Sequence, residues 1–257
     1  MPVERRIGDL TGRTALVTGG SRGIGRAACL GFARAGADVV VHFHTRGDDA
    51  ERAANEIRAL GRRATTVQAD VTNAAEVSRM IGDVTAFVGP DGVHVLFNNV
   101  GVYPSGSLET LDAEEWDRVF AINARGPFLV TQAALPLLKA AGGARVINIG
   151  TVMTYEGTPG MLHYVASKSA LIGFTRSLAR ELAPHGITVN CVVPSMVQTE
   201  TAERDYGGAE VTVIPRQAIQ RYEQPEDLVG LLVFLASEAS GFVTGQTIRA
   251  DGGRVLL

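Results

Sequence analysis

Short, continuous apolar runs recur along the chain, and between them apolar residues return every three or four positions. The runs are Thr14 to Thr18, Asp38 to Phe43, Ala64 to Gln68, Val93 to Phe97, Arg145 to Ile149, Ile187 to Val193 and Thr247 to Ala250. Unbroken runs of this length are expected of strands covered on both faces. Helical periodicity covers 26–36, closing near Gly36, then 48–60, where Ala50, Ala53, Ala54, Ile57 and Leu60 share a face, and 74–88. A longer helical region spans 112–140, interrupted or bounded by Pro127 and Pro136. Another helix starts by Ala166 and carries Ala170, Leu171, Phe174, Leu178 and Leu182 inward, and 225–236 is the last. Strands alternating with helices predict an α/β fold, a doubly wound parallel sheet of about seven strands with helices on both faces. No linker or repeat divides the chain, so residues 1–257 read as a single domain. Only Ser195 to Gln224 breaks the alternation. Ligands bind beyond the carboxyl ends of strands in such sheets, so this insertion, around 195–224, is a candidate substrate lid.

Composition narrows the classes. Hydrophobic residues make up 46% of the 257 and charged residues 20%, enough for a large core and against disorder. A net charge of -3 gives no electrostatic case for binding nucleic acid or an anionic membrane. No apolar run is long enough to span a bilayer. The stretch MPVERRIGDLTGR lacks the apolar core of a signal peptide. Cys29 and Cys191 stand apart in apolar surroundings and read as core residues in a reducing compartment, which predicts a cytoplasmic location. His42 and His44 have no third clustered ligand, so no metal is expected.

Two stretches carry chemistry. Between the first strand and the first helix lies GGSRGIG, with glycines at 19, 23 and 25. Glycine there permits a tight turn and close approach to a pyrophosphate, while the helix offers its N-terminal amides. After the fifth strand comes Tyr164-x-x-x-Lys168. If one helix holds both, they share a face a turn apart. A nearby ammonium favours phenolate, and lowering a tyrosine pKa by two units takes about 2.7 kcal/mol. Such a tyrosine can exchange a proton near neutral pH.

These signals sit at strand ends in a fixed order, as TGGSRGIG, Asp70-Val71, NNVG at 98–101, Asn123, Thr151, Tyr164-x-x-x-Lys168 and Val193-Pro194. Together they resemble the classical short-chain dehydrogenase/reductase family, over essentially the whole chain through QTIRADGG at 246–253. The resemblance implies a single-domain Rossmann-type fold, a nicotinamide cofactor and a homotetramer. It implies Tyr164 as catalytic acid/base, Lys168 as the group that tunes it and binds the nicotinamide ribose, and Asn123 as holder of a proton-relay water. Gly19, Ser21, Arg22, Gly23, Ile24 and Gly25 in the turn, Asp70 and Val71 near the adenine, and Asn98, Val100 and Gly101 on the adenosine side become candidate cofactor contacts. Pro194, Val197 and Thr199 are candidates for the nicotinamide end. Two positions depart from the pattern. The family's catalytic serine is Thr151 here, which keeps the hydroxyl but adds a methyl, with Thr154 as a second candidate donor. Ser195 stands where many members have glycine.

Members preferring NAD usually carry an acid at the end of the second strand, and that position is Phe43. Arg22, His44, Thr45 and Arg46 lie nearby and suit a 2′-phosphate, so NADPH is expected rather than NADH. Val102, Tyr103, Thr151, Met153, Thr158, Met161, His163, Ser195, Met196 and parts of the 200–222 loop are expected around a hydrophobic carbonyl or alcohol substrate. GVYP at 101–104, PSMVQTETAE and AIQRYEQPEDL are similar to the branch that oxidises secondary aryl alcohols. The general frame is equally similar to 3-oxoacyl-carrier-protein reductases, for which Arg125 and Arg176 are the only basic docking hints. A third reading is a non-catalytic NADP-binding regulator, but such proteins typically lose the tyrosine or lysine, and this chain has both.

Overall fold

A computed structural model describes residues 7–206 and 210–256. The apolar runs form seven strands: β1 (Thr14–Val17), β2 (Asp38–Phe43), β3 (Ala64–Gln68), β4 (Val95–Asn98), β5 (Arg145–Ile149), β6 (Thr188–Pro194) and β7 (Thr247–Ala250). The helices are α1 (Gly23–Arg34), α2 (Gly47–Ala59), α3 (Ala74–Val88), α4 (Ala113–Phe120), α5 (Gly126–Ala140), α6 (Met153–Glu156), α7 (Leu162–Leu182), α8 (Glu200–Tyr206), α9 (Glu210–Val213) and α10 (Pro225–Ala236). The strands make one sheet in the order β3-β2-β1-β4-β5-β6-β7, and every neighbouring pair is parallel. Chain order reverses between β1 and β4, which opens a crevice at their carboxyl ends.

Alternation along each strand builds two cores. Ala15, Val17, Val39, Val41, Val95, Phe97, Ile147 and Ile149 face α1, α2 and α10. Leu16, Val40, Leu96, Val146 and Val189 face α3, α5 and α7. Phe32 of α1 meets Phe97 edge-on, with ring centroids 6.5 Å apart. Both faces of the inner strands are therefore dry, which is why those strands show no polar alternation, whereas the edge strands β3 and β7 are partly exposed.

The region 112–140 is not one helix. Asp112 caps α4, its carboxylate accepting from the Glu115 amide. A π-helical turn, Ala121–Arg125, then joins α4 to α5. Pro127 lies in the first turn of α5, where its missing N–H leaves no bond unmade, and Pro136 lies inside that helix. β4 starts two residues later than its apolar run, because the Val93 amide bonds Leu137 of α5 instead of a strand. Between β6 and α10 the chain forms α8, α9 and a 3-10 turn, Ile214–Arg216. The ends of this segment are tied together: Glu223 accepts from the Ser195 amide through its carboxylate at 2.7 Å and from the Gln198 amide through its carbonyl at 2.8 Å. Among the described residues no helix is long and apolar enough to cross a membrane.

Candidate active site

A cleft of about 990 Å³ opens at the carboxyl end of the sheet. Its first wall is the turn from β1 to α1. Gly19 and Gly23 take positive φ, 65° and 52°, which favours glycine. A Cβ on Gly25 would stand 2.1 Å from the Gly19 carbonyl oxygen, so only hydrogen lets α1 approach the turn. His42 of β2 braces the turn from behind. Its Nδ1 accepts from the Gly19 amide at 3.1 Å, and its Nε2 donates to the Ala69 carbonyl at 3.0 Å. Burial pushes the His42 pKa down to about 4, consistent with a neutral ring filling both roles. The Thr18 hydroxyl accepts from the amides of Asn99 and Val100, and the Asn99 side chain donates to the carbonyls of Thr18 and Gly19.

Past this turn, Phe43, His44, Thr45 and Arg46 line one arm of the cleft together with Arg22, Asp70, Val71 and Thr72. No carboxylate occupies the end of β2. Arg46 pairs with Asp49 at 3.2 Å, and Arg22 has no ion pair among the described residues. A turn that a Cβ would fill, facing helix amides and flanked by cationic side chains, fits a dinucleotide with an extra phosphate.

The other arm holds Thr151, Tyr164 and Lys168. Thr151 follows β5, anchored on either side by Gly150 N–H to Val192 O and Val152 N–H to Pro194 O. It lines the cleft and is 5% exposed. The Thr154 hydroxyl donates to the Thr151 carbonyl at 2.8 Å and does not line the cleft, so it is committed to local backbone. Both Tyr164 and Lys168 lie in the first two turns of α7 and line the cleft. The Lys168 ammonium donates to the Ile149 carbonyl at 2.9 Å, and burial pulls its pKa down to about 8. Tyr103 stacks edge-on against Tyr164, with centroids 6.1 Å apart.

A family model described as short chain dehydrogenase matches residues 13–207. The chain belongs to the short-chain dehydrogenase/reductase family. It is an oxidoreductase, and its sheet is the Rossmann-type sheet of that family. The chain is 40% identical over 248 residues to a 3-oxoacyl-[acyl-carrier-protein] reductase of Synechocystis, covering 96% of this chain and 98% of that one. Among solved structures, a short chain dehydrogenase of Burkholderia cenocepacia in complex with NADP is 36% identical, with TM-score 0.89 over 95% of this chain and 98% of that one. A blue fluorescent protein from a metagenomic library, in complex with NADPH, is 37% identical, with TM-score 0.88 over 96% of this chain and 100% of that one.

Most residues that the family resemblance singled out meet in this cleft. Gly19, Ser21, Arg22, Gly23, Ile24, His44, Asp70, Val71, Val100, Gly101, Thr151, Tyr164, Lys168, Pro194, Val197 and Thr199 all line it. Gly25, Asn98 and Asn123 do not. Gly25 acts from below, through the packing described above. Asn98 turns to the opposite face of β4, where its amide donates to Thr131 and Asn148. Its neighbour Asn99, which strand alternation points the other way, is the one at the cleft. Asn123 sits in the π turn with its amide spent: Oδ1 accepts from Val102 N–H at 2.9 Å, and Nδ2 donates to Val102 O at 2.8 Å and Ser167 Oγ at 3.0 Å. Its side chain thus fixes the loop after β4 and keeps no N–H for a relay water. His163, expected beside the substrate, is wholly buried and lies off the cleft. Arg216 enters the cleft from the 3-10 turn after α9, within the 200–222 loop expected to contribute, whereas Arg254, which enters from the C-terminal turn, lay outside the expected lining. Their common partner Glu156 is 98 positions from Arg254, a pairing no local pattern signals.

Proposed function

We propose that the protein interconverts a ketone of predominantly hydrophobic character and its secondary alcohol, using NADPH. One observation carries this reading: Thr151, Tyr164 and Lys168 line one wall of the cleft whose far arm presents Arg22, His44 and Arg46, with no acid at the end of β2. The bound nicotinamide supplies the hydride that adds to the carbonyl carbon, or accepts it in the reverse direction. Tyr164 gives the carbonyl oxygen its proton as the C–O double bond becomes single, and takes it back in oxidation. Lys168, held by the Ile149 carbonyl, puts positive charge beside that phenol and stabilises its ionised form. Thr151 donates a hydrogen bond to the substrate oxygen, where negative charge grows in the transition state. Met153, Met161 and Met196, with Tyr103, give the substrate end an apolar lining. Residues 195–224 act as the lid, since Thr199, Thr212, Val213 and Arg216 reach into the cleft from that segment. NADP and NADPH in the two solved relatives support the cofactor choice.

The Synechocystis relative favours a second reading, reduction of a 3-oxoacyl group on a carrier protein. Exposed Phe128, Leu162 and Phe242 support a homotetramer. The test is a panel of ketones, alcohols and a 3-oxoacyl thioester, followed by nicotinamide absorbance with each cofactor. We expect turnover of hydrophobic ketones with NADPH, and its loss in Tyr164→Phe while NADPH still binds. Turnover of Tyr164→Phe within a few-fold of the parent overturns the assignment, and thioester-only turnover selects the second reading.

A further inference from the structure

The substrate end of the cleft contains an ion cluster that the chemistry above does not use. Glu156, at the end of α6, has a side chain only 8% exposed. Arg254 clamps it from the C-terminal turn, Nε donating to Oε1 at 3.0 Å and Nη2 to Oε2 at 2.6 Å. Arg216, from the 3-10 turn after α9, adds a third hydrogen bond to Oε1 at 2.8 Å. The third nitrogen of Arg254, Nη1, is buried without a hydrogen-bond partner, on a side chain 3% exposed. Both arginines line the cleft, with Met153, Ser195 and Met196.

Two guanidinium groups share one carboxylate; the Arg216 side chain is 57% exposed and reaches solvent, whereas Arg254 is held where water is scarce. A buried charged donor without an acceptor is costly, and the cost is recovered when a ligand supplies one. The donor is also preset. The Asp251 carboxylate accepts from the amides of Gly253 and Val255, and Ile219 N–H bonds the Gly252 carbonyl, so the turn bearing Arg254 is stapled before any ligand arrives. A neutral carbonyl could satisfy Nη1, but a carboxylate makes the stronger, charge-assisted bond with a buried guanidinium. Arg118, another cation at the cleft, is already paired with Glu115. Glu200 lines the cleft too, but beside Thr199, which packs against Gly23 on the cofactor side.

Resting on the oxidoreductase reading, we propose that the substrate is an oxo acid or hydroxy acid, with Arg254 receiving its carboxylate while Thr151 and Tyr164 hold its carbonyl oxygen. The apolar lining then faces the chain between the two polar ends. The test compares levulinate and its longer oxo-acid homologues with their methyl esters, using NADPH. The best acid should exceed its ester in kcat/KM by about tenfold or more, the worth of one charge-assisted hydrogen bond. Arg254→Met should abolish that preference, and Arg254→Lys, which keeps the charge and the partner Glu156, should fall between. In the presence of NADPH, the best acid should raise Tm in the parent and not in Arg254→Met. If Arg254→Met fails to fold, Arg254→Lys carries the comparison. Equal rates for acids and esters, or a preference that survives in Arg254→Met, overturn the proposal. If neutral ketones alone are reduced, the carboxylate site falls and the oxidoreductase reading stands. If no carbonyl consumes NADPH, that reading falls, and the Tm comparison decides the carboxylate site by itself.

Discussion

Replacing Glu223 with glutamine should remove a pH-dependent loss of stability that the parent suffers between about 4.5 and about 8. Glu223 is 8% exposed at the stem of the 195–224 segment. Burial pushes its carboxyl up to about 8, the nearby Asp227 and Asp251 push the same way, and the Ser195 amide at 2.7 Å and Arg221 oppose them. In the unfolded chain the group titrates near 4.5. Between these values the native state holds a proton that the unfolded state has released. Stability linked to Glu223 is therefore complete below the unfolded value and falls as pH rises through the native one. At about 1.36 kcal/mol per unit, the full span sets an upper bound near 5 kcal/mol. The stem can open locally before the sheet unfolds, and the ionised carboxylate keeps its bond from Ser195, so about 2 kcal/mol is expected. For a chain of this size that corresponds to roughly 4–8 °C in Tm. Glutamine keeps an oxygen acceptor for the Ser195 amide and cannot ionise. The assay is thermal unfolding of parent and Glu223→Gln from pH 5 to pH 9, read as a difference so that all other titrations cancel. The curves should coincide near the acid end and separate in favour of the variant as pH rises. A difference that stays constant across the range, or that favours the parent at high pH, refutes the reasoning.

Three further outcomes follow from the cleft. Thr151→Val, which keeps the shape and removes the donor, should lower kcat by about 10²-fold, while Thr154→Val stays within a few-fold in the same ketone assay. Arg22→Ala should cost about 1.5–3 kcal/mol of NADPH-over-NADH selectivity, measured as the ratio of kcat/KM for the two cofactors. Gly25→Ala should lose about 1–3 kcal/mol of stability in denaturant unfolding and weaken NADPH binding, because its Cβ would stand 2.1 Å from the Gly19 oxygen.

The inner strands were legible in the sequence because both sheet faces are dry there, so they are mostly apolar runs bounded by polar turns. The glycine turn and the Tyr164–Lys168 spacing were legible for a related reason: each is a local pattern whose geometry one turn or one helix fixes. What local pattern could not reveal depends on direction or on distance. Asn98 and Asn99 are chemically alike in sequence, and only strand alternation sends one into the core and the other to the cleft. The bracing role of His42 leaves no local signal because its two partners, Gly19 and Ala69, come from other strand ends. The Arg216–Glu156–Arg254 cluster draws on three separate segments and has no spacing to detect.

The π turn explains why the helix pattern over 112–140 was readable yet misleading. A π turn inserts one residue into the helical repeat, so positions before and after it no longer share a single apolar stripe. At Ala121–Arg125 this shift puts Asn123 inside, fully buried, between the loop after β4 and α7. Its amide grips both backbone groups of Val102 and also Ser167, and the Ser167 hydroxyl donates to the Tyr164 carbonyl at 2.7 Å. Tyr103, next in the loop, meets the Tyr164 ring. A continuous α-helix would carry the same asparagine about 100° around the axis, away from both partners. The irregular turn is therefore what joins the loop after β4 to α7, and Asn123 ties Val102 to the helix turn that carries Tyr164.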